Sequence, residues 1–331
     1  MATVRGAGAP AGMKLSDEER ALVRPGDPPT GADAMKAVLT DARFSDPEWI
    51  FERKLDGIRC IAVRDGGETR LWSRNDLSMN ARYPEVAEAV AGQRSRRFAI
   101  DGEVVAFDGD QTSFAKLTRR GREPVPVFFY VFDLLWLEGE DVRALPLRTR
   151  KRLLRDALSW EDPLRFTAHR NADGEAFYAE ACRQGWEGLI AKRADSPYGG
   201  GRSKDWLKLK CGRGQELVIG GFTEPKGSRI EFGALLVGYF DGSGELRYAG
   251  KVGTGFDREL LRSLGKRMRG LARDASPFAD EVRERGTTWV QPELVAQIGF
   301  SEWTQDGRLR HPRFLGLRDD KPAAQVVREG A

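Results

Sequence analysis

The chain has 331 residues, 31% of them charged and 40% hydrophobic, with a formal net charge of +4, which leaves room for one large and one small domain, each with its own core. So mild a charge does not establish a nucleic-acid partner, but it permits one wherever basic residues cluster. Cys60, Cys182 and Cys211 are far apart and have only His169 and His311 as co-ligands, which argues against structural zinc and suits a reducing compartment; with no signal-peptide h-region and no run near the roughly 18 apolar residues of a membrane span, the expected protein is cytoplasmic and has no membrane partner.

Residues 1 to about 35 are rich in Gly, Ala, Pro and charge, as in Gly6-Ala-Gly-Ala-Pro10, and such a composition buries too little apolar surface to offset ordering entropy. The expectation for 1–35 is a flexible arm or linker. β-Rich runs follow at 49–54, 60–64, 69–73, 98–107 and 125–137, interrupted by apolar residues at helical spacing over 84–90, 148–158 and 174–184. A strand begins near Glu187, and Trp206-Leu-Lys-Leu-Lys-Cys211 reads as a last strand before a hinge at Gly212-Arg-Gly214. Residues 36–214 therefore read as an α+β domain of mixed antiparallel sheets and helices. Beyond the hinge, strands at 217–222, 234–240 and 245–252, a helix over 257–272, and strands near 287–291 and 294–303 fit a small closed barrel of the oligonucleotide-binding (OB) type over 215–331.

Lysine is scarce, only 13 of the 54 basic residues, so a lysine in a special context carries information. Phe51-Glu-Arg-Lys-Leu-Asp-Gly-Ile-Arg59 supplies that context. A primary amine can lose its proton and attack phosphorus, whereas a guanidinium cannot. Strand parity puts Glu52 and Lys54 on one face before a turn at Asp56-Gly57, where glycine lets the backbone approach a ligand. Read alone, the same segment could be a surface lysine ahead of a β-turn.

In Asp101-Gly-Glu-Val-Val-Ala-Phe107, alternation sets Asp101 and Glu103 opposite Val104 and Ala106, so a carboxylate on that face needs a partner: a ribose hydroxyl, Mg²⁺ or an arginine. Phe132 shares a face with Tyr130 and Leu134, where its ring either packs in the core or stacks on a purine. Glu187, just before a hydrophobic run, suits a hard cation, while Lys192 falls on the opposite face by parity and takes a structural or solvent-facing role. Lys208 and Lys210 share a face, which calls for an anion between them, and their field is expected to lower the pKa of Lys54. Arg310 to Lys321 gathers basic groups around apolar anchors, ordinarily a solvated edge.

Taken in order, Lys54-Leu-Asp-Gly57, Ser73-Arg74, Asp101-Gly-Glu103, Tyr130-Val-Phe-Asp133, Glu187-Gly188, Trp206-Leu-Lys-Leu-Lys210 and Arg313 to Lys321 closely resemble the motif set of ATP-dependent DNA ligases, over residues 45 to 325. Phe222-Thr-Glu-Pro, Gly250-Lys-Val-Gly-Thr-Gly-Phe256 and His311 to Lys321 are most similar to the ligase domain of bacterial end-joining ligases. The resemblance implies a nucleotidyltransferase (adenylation) domain followed by an OB-fold domain, and a catalytic set of Lys54, Asp56 and Arg59. Lys54 attacks the α-phosphorus of ATP to form a lysyl-adenylate, AMP moves to the 5′-phosphate of a break, and the 3′-hydroxyl displaces it. Glu52 then reads the adenine amino group, Phe132 stacks on the base, Glu103 and Glu187 serve ribose and Mg²⁺ (or Mn²⁺), and Lys208 and Lys210 hold the α-phosphate. Arg59 and Arg74 face the nick phosphates, and Arg313, Arg318, Asp320 and Lys321 orient the pyrophosphate.

By the same resemblance the partner is nicked or broken double-stranded DNA, contacted through its backbone, with end-joining proteins (Ku, polymerase and nuclease modules) beside a monomer at the bacterial nucleoid. A separate N-terminal DNA-binding domain of the larger family members has no counterpart before Phe44, so the chain reads as a minimal core or a fragment of a longer enzyme. Rival readings are an RNA-capping or RNA-ligase nucleotidyltransferase, and a non-catalytic OB-type protein that binds nucleic acid.

Overall fold

In the computed structural model, which describes residues 13–120, 124–225, 227 and 229–329, the chain divides into two units between Leu209 and Lys210, slightly before the expected hinge. The first unit begins with helix α1 (Asp17–Leu22), then strands β1 (Met35–Leu39), β2 (Trp49–Arg53), β3 (Ile58–Asp65) and β4 (Glu68–Ser73), and helix α2 (Pro84–Ala91). It continues with β5 (Arg97–Val105), β6 (Phe128–Leu137), α3 (Leu147–Ala157), β7 (Leu164–Phe166), β8 (His169–Asn171), α4 (Gly174–Arg183), β9 (Gly188–Arg193) and β10 (Gly201–Lys210). One sheet is built on the path β6–β5–β3–β4, with β7 parallel to β6. The other runs β8–β2–β9–β10–β1, where β1 and β10 are parallel.

β6, Phe-Phe-Tyr-Val-Phe-Asp-Leu-Leu-Trp-Leu, is almost wholly apolar because both of its faces are covered. Phe129, Val131, Leu134 and Leu137 enter a core with α2 and α3, through Val86, Val90, Leu153 and Leu154. Phe132, Leu135 and Trp136 enter another, with Met35 and Trp206 of the second sheet. Strict alternation cannot produce these two sets. The β5–β6 register shifts between Asp101 and Gly102, where Gly102 faces Val131 and Asp101 faces Asp133, so Phe132 sits at an irregularity that reverses the parity after it. Phe132 and Leu134 therefore do not share a face, contrary to the expectation from period-two counting. On β5 the alternation holds: Phe98, Ile100 and Val104 join the helical core, and Asp101 is buried with its carboxylate against Arg59.

Residues 13–35 are not a flexible arm. α1 carries a capping box between Ser16 and Glu19, Val23 is buried, the Trp136 indole donates to the Gly26 carbonyl at 2.7 Å, and Arg20 meets Glu140 at 2.9 Å. Composition missed this because the segment is held by polar contacts and a few apolar anchors, Met13, Leu15 and Val23, instead of a periodic apolar face. Residues 1–12 of the expected arm lie outside the described residues. Cys60 is buried with a free thiol. Among the described residues no helix is long and apolar enough to cross a membrane.

The second unit contains β11 (Arg213–Thr223), β12 (Leu235–Phe240), β13 (Leu246–Val252), α5 (Arg258–Arg269), β14 (Thr287–Val290), β15 (Val295–Phe300) and β16 (Arg313–Leu317). The long β11 pairs with β15 over Arg213 to Val218 and with β14 over Gly221 to Thr223. Its other partner is β12. Leu261, Leu264 and Met268 of α5 pack against Phe232, Leu235 and Val252. The described pairings join these strands into one seven-stranded sheet in which no ladder links β13 to β16; strand patterns say which segments are strands but not which edges meet.

α3 places two charges on its buried side. Arg150, fully buried, makes a two-pronged ion pair with Asp133 at 2.7 and 2.9 Å and donates to the Ser196 carbonyl at 2.9 Å. Replacing Arg150 with Met leaves the Asp133 carboxylate without its counter-charge. The variant is expected to lose about 3–5 kcal/mol, measured as a lower urea midpoint.

Candidate active site

The backbone N–H of Lys54 donates to the Gly188 carbonyl at 2.9 Å, so the residue leaving β2 is pinned beside the start of β9. This brings the Lys54 ammonium within 2.5 Å of Glu187. The turn that follows is tight: a Cβ on Gly57 would lie 2.3 Å from the Val104 carbonyl, which only glycine avoids. Burial disfavours the charge on Lys54, but Glu187, then Asp56 and Glu103, outweigh it and leave the pKa raised. The expected lowering by Lys208 and Lys210 is thus overturned for this state, because the charges of Glu187, Asp56 and Glu103 prevail.

Arg59, two residues into β3, crosses to β5 and grips Asp101 with Nε and Nη2, both at 2.5 Å. The Tyr198 hydroxyl donates to the same carboxylate at 2.6 Å and accepts from the Met35 backbone at 2.8 Å. Burial opposes the Arg59 charge and Asp101 more than compensates, so its pKa is raised. Asp101 is therefore the arginine-paired member of Asp101-Gly-Glu103. Glu103, opposite Arg59 in the register, is the half-buried carboxylate facing Lys54's side of the sheet. Arg74 follows directly on β4 and is half-buried.

Glu52 is 2% exposed and lies between two ammonium groups, Lys151 at 2.5 Å and Lys192 at 2.6 Å. Burial raises the carboxyl pKa, yet Lys151 and Lys192 prevail and lower it. Lys192 is pushed down to about 8, foremost by burial and next by Lys151, against the pull of Glu52. Its ammonium stands 4.1 Å from the Phe132 ring centroid and 4.0 Å from that of Trp206; the Arg59 guanidinium is 4.7 Å from Phe132.

Of the two roles expected for Lys192, structural or solvent-facing, burial and the ion pair with Glu52 leave the structural one. Parity counted from Glu187 fails because Gly188 has φ +145°, a backbone turn that puts Glu187 outside the alternation of β9. Lys151 also escaped the sequence reading. A signal was present: Leu147, Arg150, Lys151 and Leu154 fall at i, i+3, i+4 and i+7 of α3, so two cations occupy the apolar face.

Lys208, on β10 opposite Leu39, belongs to the first unit, while Lys210 falls with the second and bonds to Glu329 at 2.9 Å and to the Gly214 carbonyl. In the second unit the terminal motif is organised by Glu216 of β11, which the sequence reading did not single out. Lys321 meets Glu216 at 2.9 Å and Arg318 approaches it at 3.8 Å, while Arg318 also bonds to Asp320 at 2.9 and 3.0 Å. Arg313 is exposed at the start of β16.

With this geometry, the family model described as ATP dependent DNA ligase domain matches residues 29–210, and that described as ATP dependent DNA ligase C terminal region matches 228–321. The chain belongs to the ATP-dependent DNA ligases. Its two units are the nucleotidyltransferase domain and the OB-fold domain of that family. The multifunctional non-homologous end joining protein LigD of Pseudomonas aeruginosa is 41% identical over 292 residues, 85% of this ligase and 35% of that protein. A DNA ligase of Thermococcus fumicolans is 32% identical, over 83% of this chain and 52% of the other. A solved mycobacterial DNA ligase D, complexed with ATP and MES, is 37% identical with a TM-score of 0.66, covering 89% of this chain and 97% of that one. The ligase therefore spans about 35% to 52% of the length of these curated relatives.

Behind Glu52, His169 of β8 occupies the paired position on the neighbouring strand. Burial, then the charge of Lys151, push its imidazole down to about 4 from the usual 6.5. Between those values the unfolded chain binds a proton that the folded ligase refuses, so stability falls as the pH drops through this window. A His169→Gln variant is expected to show a flatter stability profile between pH 6.5 and 4, read by urea denaturation at each pH.

Proposed function

We propose that this ligase seals 5′-phosphate/3′-hydroxyl breaks in duplex DNA through a lysyl-AMP formed on Lys54, in the joining of broken ends. The observation that carries the reading is the placement of one scarce lysine at the mouth of β2, pinned to Gly188 and surrounded by Glu187, Asp56 and Glu103. Once its proton has left, the Lys54 Nζ attacks the α-phosphorus of ATP; the N–P bond forms as the bond to pyrophosphate breaks. AMP then passes to the 5′-phosphate oxygen at the break, and the 3′-hydroxyl displaces AMP to make the phosphodiester. All three steps need in-line placement and cationic neutralisation of the charge on the transferring group.

The chain's residues divide that work. Lys208 lies on β10 beside the Trp206 that walls the site and carries charge toward the α-phosphate. Glu52 reads the adenine amino group and Phe132 stacks on the base, with Lys192 giving up its place beside that ring when the purine enters. Arg59 and Arg74 face the phosphates at the break, Lys210 holds the α-phosphate with Lys208, and Arg313, Arg318, Asp320 and Lys321 orient the pyrophosphate. Among the described residues no three His, Cys, Asp or Glu side chains converge, so Glu103 and Glu187 are the carboxylates on hand. That suits Mg²⁺ (or Mn²⁺), which takes one or two carboxylates and completes its shell with water and substrate phosphates; bound there, it would neutralise charge on the transferring phosphoryl group. The end-joining names of the relatives support work at double-strand breaks in a bacterial cell, where Ku and polymerase or nuclease modules are the expected partners.

Incubation with α-labelled ATP and Mg²⁺, followed by a denaturing gel and a chase with nicked duplex, tests the reading. Wild-type protein should carry label that the nick removes, GTP should give none, and Lys54→Ala should carry none while remaining folded. Lys208→Ala is expected to slow sealing by about 10²-fold or more, the usual loss for one group that stabilises transition-state charge. Label retained by Lys54→Ala would show that the nucleophile lies elsewhere.

A further inference from the structure

Arg148, Lys151, Arg152 and Arg155 recur at i, i+3, i+4 and i+7 along the eleven residues of α3, so four cations share one side of a short helix. Like charges at this spacing destabilise a helix unless counter-charges or a ligand relieve them. Close counter-charges are few. Arg148 donates to the Pro47 carbonyl at 2.9 Å, Arg152 comes only within 3.8 Å of Glu19, and Arg155 lies 4.7 Å from the Phe166 ring.

These residues line a cavity of about 840 Å³, whose lining also includes His169 and one carboxylate, Asp156. His169 lines the cavity, and its Nδ1 is buried without a hydrogen-bond partner, a condition that buried polar atoms seldom keep. With its pKa pushed down to about 4, the ring is neutral at pH 7. Guanidinium forks are matched to phosphate oxygens.

We propose that this cavity is a second phosphate-binding site, separate from the adenylation site, that takes a pyrophosphate-like anion, free or as neighbouring phosphates of a nucleic-acid strand. Its volume leaves room for a group with more than one phosphate. Lys151 forms the partition: its stem lines the cavity, and its ammonium holds Glu52 at 2.5 Å. An anion that draws Lys151 outward weakens its hold on Glu52, so occupancy is expected to raise the KM for ATP; this consequence, unlike the site itself, rests on the proposed role of Glu52.

The site is tested by titration calorimetry on the full chain with sodium pyrophosphate in one arm and a 5′-phosphorylated duplex in the other, while the His169 ring resonances are followed by NMR. Binding that moves His169 and weakens at least tenfold in R152Q/R155Q, but not in Lys208→Ala, supports the proposal. The arm that responds names the source of the phosphate. Binding lost in Lys208→Ala but kept in R152Q/R155Q would place the anion at the adenylation site and overturn it, as would no millimolar binding in either arm. If circular dichroism shows R152Q/R155Q unfolded, R155Q alone is read by the same criteria. Anion binding that responds as expected while the KM for ATP stays constant rejects only the link through Glu52.

Discussion

A charged group can lie between two β-sheets only with its counter-charge beside it, since desolvation there costs several kcal/mol per unpaired ion, and the interior of the first domain obeys this at each functional position. Glu52 has Lys151 and Lys192, Asp101 has Arg59 and the Tyr198 hydroxyl, Lys54 has Glu187, and Asp133 has Arg150. The pairs are linked. Lys192 and Arg59 both lie against Phe132, so the aromatic ring, the two carboxylates and the two cations form one continuous patch facing the gap between the sheets.

Such pairing gives a nucleotide-dependent enzyme a stable resting arrangement without blocking its chemistry. Under the proposed function, each ion pair stands where the substrate would bring a group of matching character: a purine edge near Glu52, phosphates near Lys54 and Arg59. Ligand groups can then replace protein partners one for one, and little net charge is buried or exposed in the exchange. The raised pKa of Lys54 belongs to the arrangement before substrate arrives and shows how strongly carboxylates dominate its surroundings then.

α3 links the parts. Its apolar residues close the helical core, Arg150 and Lys151 reach inward to Asp133 and Glu52, and Arg152 and Arg155 turn to the basic cavity. A single helix thus carries stability, the back wall of the proposed adenylation site and a cluster of cations beyond it. In the second domain, Glu216 does for the terminal motif what Glu52 does for the first: a carboxylate gathers cations that would otherwise repel.

The sequence by itself determined the chemistry and the order of the parts: the scarce lysine before Asp56-Gly57, the acidic strand at Asp101-Gly-Glu103, Glu187 ahead of a hydrophobic run, and the change from a mixed domain to a strand-rich one. Those signals are local, written in residue type and period over a few positions. Three matters were decided only in three dimensions. Gly188 reverses the parity that placed Lys192 on the wrong face, the β5–β6 irregularity at Phe132 does the same for that strand, and residues 13–35 are ordered by polar contacts with strands and helices more than a hundred positions away. Periodicity assumes a regular backbone and apolar docking, so it fails where one positive φ or one extra residue breaks the count, and where hydrogen bonds and ion pairs do the holding.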